Sequence, residues 1–197
     1  MKTTDSAQVK KIVLAGGCFW GTQHLLSLLS GLRRTRVGFV NSNVKNPTYK
    51  DVCTGDTGAA EGVEVEYNAT VVDLPRLLDF FLQSIDPTSK DRQGEDRGTQ
   101  YRTGIYYTTD TQKHDALEAI ERLRKRYDKP IVTEVLPLRN FYEAEPEHQD
   151  YLDRNPGGYC HISRELMARA RHTHILKPEA PEDALHADVN FANELEH

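Results

Sequence analysis

Short apolar runs alternate with amphipathic stretches along this chain, and that alternation narrows the possible folds more than any other feature. Lys11-Ile12-Val13-Leu14-Ala15 has the composition of a buried strand, and Gly16-Gly17 breaks it. Thr22 to Leu29 then reads as a helix, with Leu25, Leu26, Leu28 and Leu29 apolar. Arg36 to Val40 is a second strand. Gly62-Val63-Glu64-Val65-Glu66-Tyr67 alternates apolar and polar residues as a half-buried strand does, with Asn68 as a turn and Ala69 to Val72 as a continuation of the sheet. Asp73-Leu74-Pro75 opens a helix whose apolar face is Leu77, Leu78, Phe81 and Leu82. Arg102 to Tyr107 is a strand. Thr111 to Tyr127 is the clearest helix, with a stripe of Ala116, Leu117, Ile120, Leu123 and Tyr127. Lys129-Pro130 ends it, and Ile131 to Leu136 is a further strand. This order predicts an α+β fold rather than a doubly wound parallel one: a two-layer sandwich with a central mixed β-sheet flanked by helices, around a ferredoxin-like core.

At 197 residues the chain is long enough for one domain and a tail. Residues 1–163 are expected to form a single catalytic domain and 164–197 a C-terminal extension. Within the extension, Arg164 to Arg171 suits a short basic helix and Lys177 to His197 an extended tail, ending in Leu195-Glu196-His197, which resembles a cloning scar. Lys and Arg number 25 against 30 Asp and Glu, a net charge of −5, which gives no support for a nucleic-acid or anionic-membrane partner. The apolar runs are too short to span a bilayer, and Met1 to Lys11 lacks the apolar segment of a signal peptide, so a cytoplasmic location is expected. Segments 41–61 and 86–101 are long, Gly- and Asp-rich and weakly periodic, as functional loops are.

Only three cysteines occur, Cys18, Cys53 and Cys160, too few for a disulfide-built scaffold. Sparse cysteines are ordinarily small core residues. Cys18 has a different context, between a strand and a helix in Gly16-Gly17-Cys18-Phe19-Trp20-Gly21. The N–H groups and dipole of a helix start favour thiolate over thiol. Gly17 and Gly21 remove side chains that would block a substrate's approach. Phe19 and Trp20, the latter the only tryptophan, offer an apolar wall. Cys160-His161 and His172-Thr173-His174 show no zinc-ligand spacing, so no metal is expected. The basic run Arg122 to Arg126 reads as a solvated helix end.

Gly17-Cys18-Phe19-Trp20-Gly21 resembles the signature of the A-class peptide methionine sulfoxide reductases, and further blocks match in order. They include Asn46 to Gly55, Thr57 to Glu61, Asp86-Pro87-Thr88, Asp96 to Arg102, Phe141 to Glu145, His148-Gln149 and Asn155 to Cys160. The match spans about Lys11 to Cys160. It implies that Cys18 is the nucleophile that attacks the sulfoxide sulfur and that Glu61 is the acid that protonates the sulfoxide oxygen. It implies that Tyr49 and Tyr101 are hydroxyl donors to that oxygen, with Asp96 a supporting polar group. Phe19 and Trp20 resemble the pocket for the substrate's methyl group, and His148, in a matching block, is expected to make a structural or site-framing hydrogen bond. Cys160 resembles the resolving cysteine, and thioredoxin is the implied reductant, with no metal or organic cofactor. The chemistry wants the same residue types, because attack at sulfur builds charge on oxygen and an acid must start protonated. Cys53 receives no role and is expected to be a packing residue, and Tyr106, Tyr107, Tyr127, Tyr142 and Tyr151 are expected to be structural. A monomer is expected.

The chain departs from the family pattern at several positions. Gly38-Phe39-Val40-Asn41-Ser42 lacks the usual aromatic hydroxyl and two glycines, and Ala59 stands where a histidine usually precedes the acid by two residues. Phe81, Ile85 and Glu147 also differ. Two rival readings keep the same thiol: a peroxide-reducing cysteine, since exposed reactive thiols suffer the same oxidation, and a module that binds oxidised methionine without turnover.

Overall fold

The computed structural model describes residues 8–180. β1 (Val9–Gly16) leads through Cys18 into α1 (Phe19–Ser27), followed by β2 (Leu32–Val40), α2 (Tyr49–Cys53), β3 (Ala60–Asn68) and α3 (Leu74–Phe81). A hairpin of β4 (Arg92–Gln93) and β5 (Asp96–Arg97) precedes β6 (Thr103–Tyr107) and α4 (Asp110–Arg124). Then come β7 (Glu134–Pro137), β8 (Phe141–Glu143), α5 (Tyr151–Arg154) and α6 (Arg164–Ala170). The main sheet has the order β7-β6-β1-β3-β2-β8. Its pairings are antiparallel except β6 with β7, which run parallel. The fold is therefore α+β with a mixed sheet.

Alternation along the strands sets the two faces of the sheet. On one face Ile12, Leu14, Val37, Val63, Val65 and Ile105 meet Leu25 and Leu26 of α1, Leu77 and Leu78 of α3, and Ala116 and Ile120 of α4 in one core. On the other, Val13, Ala15, Val40, Ala60 and Tyr106 form a smaller cluster against Leu138 and Phe141. β1 is thus buried on both faces, which explains its unbroken apolar run. The remainder of the second face carries charge: Arg36 bonds Glu64, and its Nη1 lies 3.0 Å from Glu143.

α3 begins where the sequence predicts. The Asp73 carboxylate accepts the Arg76 N–H, and Pro75 occupies the first turn, where its missing N–H costs nothing. α4 differs from expectation. It ends at Arg124, and Leu117 and Tyr127 are exposed while Ala119 joins Ala116, Ile120 and Leu123 inside. Leu117 lies about 100° round the helix from Ala116, so a face centred on 116, 120 and 123 turns it outward. Ala69 to Val72 does not extend the sheet, because the Val71 and Val72 N–H groups turn back to the Asn68 carbonyl.

Residues 164–176, the first part of the expected extension, pack onto the main core. Ser163 caps α6 by accepting the Leu166 N–H. Leu166, Ala170, Ile175 and Leu176 enter the main core, and Val72 bridges Leu176. The packing shows no break at residue 163. Most of the tail expected from Lys177 onward, including Leu195 to His197, lies outside the described residues. Among the described residues, no helix is long and apolar enough to cross a membrane.

Candidate active site

Cys18 is the N-cap residue of α1, reached from β1 through Gly17 at φ +87°. It is 7% exposed. The expectation that Gly17 and Gly21 leave room for substrate needs correction, since the room is filled by protein. A Cβ on Gly17 would stand 2.6 Å from Cβ of Gln93, and one on Gly21 would stand 3.1 Å from Cys160 Sγ. Gly17 is also required for its left-handed backbone.

Glu61 is the second residue of β3. The strand's pleat turns Glu61, Val63, Val65 and Tyr67 toward the helices, and Glu64 and Glu66 away. Glu61 is therefore 1% exposed, paired across the ladder with Phe39 of β2. Its Oε2 accepts the Phe19 N–H at 3.0 Å, so the first turn of α1 holds the carboxyl beside Cys18. Burial outweighs that hydrogen bond and, with Asp96 nearby, pushes the Glu61 pKa up to about 8. The group keeps its proton at neutral pH.

The thiol does not behave as a helix start alone would make it. Burial is the largest influence and the Glu61 charge the next, and both raise the Cys18 pKa well above its ordinary value. Hydrogen bonds from the Trp20 and Gly21 N–H groups act in the opposite direction and lose. The expected thiolate-favouring effect is present but smaller than desolvation.

Tyr49 opens α2, which is held by a capping box between Thr48 and Asp51. Its N–H donates to Glu145 Oε1 at 2.9 Å. Tyr101 ends the 3₁₀ turn at Thr99–Tyr101. Burial first, and then the Glu61 charge, push both phenols up, so both retain their O–H as donors. Asp96, on β5, acts on Glu61, Tyr101 and Cys18 through its charge, and its buried Oδ2 has no hydrogen-bond partner among the described residues. These five residues come from separate parts of the chain and lie close enough to act on one another through charge.

An aromatic cluster backs them. The His148 ring lies 4.4 Å from that of Tyr49 and 5.6 Å from that of Phe19, and its Nδ1 accepts the Trp20 Nε1–H at 3.2 Å. Phe19 is buried, 6.0 Å from Phe39, while Trp20 is partly exposed and stacks on Tyr151 at 3.9 Å. Tyr151, expected to be merely structural, thus covers one face of the indole.

Cys160 is half-buried, with Sγ 3.7 Å from the Ile162 carbonyl, and all three thiols are free. Cys53 is exposed rather than a packing residue, because the five-residue α2 buries only Val52. Among the described residues no group of three or more His, Cys, Asp or Glu could hold a metal ion. Sequence reasoning gave no role to Glu145, which anchors Tyr49, or to Gln149, whose amide bonds both the N–H and the carbonyl of Val37. Both lie inside blocks that carried the resemblance, yet their targets are backbone groups, which composition does not reveal.

A buried thiol facing a protonated carboxyl and two phenolic donors is the equipment of an enzyme that attacks through sulfur and protonates a leaving oxygen. The chain belongs to the peptide methionine sulfoxide reductase family, whose model matches residues 10–179. It is 50% identical over 161 residues to peptide methionine sulfoxide reductase MsrA of Clostridium acetobutylicum, covering 82% of this chain and 99% of that protein. Mxr1 of Saccharomyces cerevisiae in its reduced form superposes with a TM-score of 0.76 at 38% identity, covering 82% of this chain and 96% of that one. Mxr1 in complex with Trx2 matches with a TM-score of 0.54 at 28% identity, covering 76% and 91%.

Proposed function

We propose that this chain reduces the S epimer of methionine sulfoxide, free or in proteins, with Cys18 as nucleophile and Glu61 as the acid. Thiol-dependent reduction of methionine sulfoxide is the activity of the family to which the chain belongs. The observation that carries the assignment to these residues is the Glu61 carboxyl, buried, bonded to the Phe19 N–H beside Cys18, and holding its proton at neutral pH. As the Cys18 sulfur attacks the sulfoxide sulfur, Glu61 delivers its proton to the sulfoxide oxygen and recovers the one the thiol gives up. Tyr49 and Tyr101 donate to the same oxygen, and Asp96 keeps Glu61 protonated. The oxygen ends on Cys18 as a sulfenic acid and methionine leaves. Phe19, Trp20 and His148 frame the methyl pocket.

Cys160 then condenses with the sulfenic acid to a disulfide and water. A thioredoxin reduces that disulfide, a reading supported by the Mxr1–Trx2 complex of a relative. The thiols carry the whole redox change, so the cycle uses no metal or organic cofactor, and turnover suits a reducing compartment such as the cytoplasm. The acting unit is a monomer whose chemistry lies within residues 1–163. The all-antiparallel order β6-β1-β3-β2, with α1 and α3 as crossovers, supports a ferredoxin-like core.

The test is to supply each sulfoxide epimer with dithiothreitol to the wild type and to Cys18→Ser. Methionine should appear only from the S epimer and only with Cys18. One equivalent of sulfoxide without reductant should leave a Cys18–Cys160 disulfide by mass spectrometry. Turnover by Cys18→Ser, or a persistent sulfenic acid in the wild type, would refute the assignment.

A further inference from the structure

His161 is a half-buried titratable side chain to which the cycle above gives no role. Its ring is wedged between the first turn of α1 and the β4–β5 hairpin. A Cβ on Gly21 would stand 3.3 Å from His161 Nδ1, and a Cβ on Gly94 would stand 3.2 Å from His161 Cβ. The Nε2 atom lies 2.8 Å from the Gly16 carbonyl. A carbonyl only accepts, so Nε2 carries the proton and the neutral ring presents its lone pair at Nδ1. That Nδ1 is buried and has no hydrogen-bond partner among the described residues. An acceptor left open in this way loses the hydrogen bond that water gave it in the unfolded chain, which asks for an explanation.

The adjacent residue is Cys160, whose Sγ also lies 3.7 Å from the Ile162 carbonyl. Cys160 Sγ and His161 Nδ1 approach the same point on α1, 3.1 and 3.3 Å from where a Cβ on Gly21 would stand. We propose that His161 is the base of the resolving half-reaction, its Nδ1 taking the proton from the Cys160 thiol as that sulfur attacks the Cys18 sulfenic acid. The inference rests on the roles assigned to Cys18 and Cys160 above. In the step the Cys160 S–H bond breaks and a Cys160–Cys18 S–S bond forms as the Cys18 S–O bond breaks. Cys160 is oxidised, the Cys18 sulfenic sulfur is reduced, and the departing hydroxide takes the proton from the imidazolium to leave as water. No outside oxidant or reductant enters.

The protein supplies a reason for a base at this position. Burial raises the Cys160 thiol above its ordinary value, so little thiolate exists at neutral pH to attack unaided. Burial lowers His161 from its ordinary value, which keeps the ring neutral and its lone pair available. The titratable groups facing the ring are few. Asp96 acts on it by charge, in the direction that stabilises the imidazolium once formed; Cys160 is its chain neighbour, and the Tyr159 hydroxyl reaches the same Gly94 surface. Glu61 is a poor alternative, since it retains its own proton at neutral pH.

The test mixes reduced enzyme with one equivalent of methionine sulfoxide and follows two signals in time, methionine release and the Cys18–Cys160 disulfide. H161Q and H161N are compared with the wild type across pH. Glutamine can still donate an amide N–H to the Gly16 carbonyl but cannot act as a base, so it separates the two uses of the ring. Each variant that releases one equivalent of methionine is thereby known to be folded. The expected result for H161Q is disulfide formation slowed about 100-fold at neutral pH. Its rate should climb steadily with pH, where the wild-type rate is level. Wild-type rate and pH profile in H161Q would overturn the proposal, even if H161N were slow, because His161 would then only hold Gly16. Methionine release without disulfide in the wild type would instead remove the resolving role of Cys160 itself.

Discussion

At the residue scale, the site turns on a carboxyl kept neutral by its surroundings. Glu61 in the folded chain holds a proton that the unfolded chain loses near pH 4.5, its ordinary value. From there to about pH 8 the folded state becomes less favoured as pH rises, since the unfolded chain binds fewer protons. At pH 7 the handicap is on the order of 3 kcal/mol. Glu61→Gln preserves an acceptor for the Phe19 N–H without the ionisation. It should raise the melting temperature at neutral pH, with little gain in acid, while slowing single-turnover methionine release about 100-fold or more. Thermal melts over a pH series and quenched-flow release check both halves; equal gains in acid and at neutral pH would contradict the buried-acid account. The identity of this residue was visible in the sequence through its block, but its environment was not. Glu61, Glu64 and Glu66 look alike in an alternating strand, and only the first turn of α1 lying over one face distinguishes a proton donor from two partners of surface cations. The same blindness affected Cys18, where a correct local argument about helix ends was outweighed by burial that no local pattern encodes.

At the element scale, the short pieces do the positioning. α2 is five residues long, too short for any apolar period to announce it, yet it aims Tyr49 into the site. It is held by the Thr48–Asp51 capping box and by Glu145 from beyond β8. Thr48→Ala should cost about 1 kcal/mol of stability. It should lower kcat more than it raises KM if the Tyr49 hydroxyl has its proposed role on the charge-developing oxygen. Steady-state kinetics alongside denaturant unfolding tests this, and a pure KM effect would mean Tyr49 serves binding instead. The longer elements were legible because their signals are local. Asp73-Leu74-Pro75 supplied both a cap and a first-turn proline, and the β1 and β3 runs supplied periodicity. β8 and the β4–β5 hairpin were not, since strands of two or three residues depend on neighbours distant in sequence. Leu117 and Tyr127 misled for a related reason: they extend an apolar pattern past the surface that α3 covers.

At the scale of the whole molecule, residues 164–176 close the core that the sheet and α1 begin. Leu166, Ala170, Ile175 and Leu176 would leave a cavity open to water if removed, under the segment that carries Cys160 and His161. A chain ending at residue 163 should lose on the order of 5 kcal/mol or more, comparable to the whole stability of many domains. Circular dichroism melts of this truncation beside the full chain decide the matter, and an unshifted cooperative transition would show the segment to be an appendage. The sequence suggested an appendage because composition turns basic and polar after Cys160, while the four apolar anchors are spaced too sparsely to read as a core face.

The stacking of Trp20 on Tyr151, with its ring N–H bound to His148, gives the molecule a built-in optical gauge. Every photon of indole emission originates two residues from Cys18, the proposed nucleophile, since no second tryptophan dilutes it. Substrate arrival, thiol oxidation and recycling can therefore be followed as brightness and colour in the unlabelled protein, one turnover at a time.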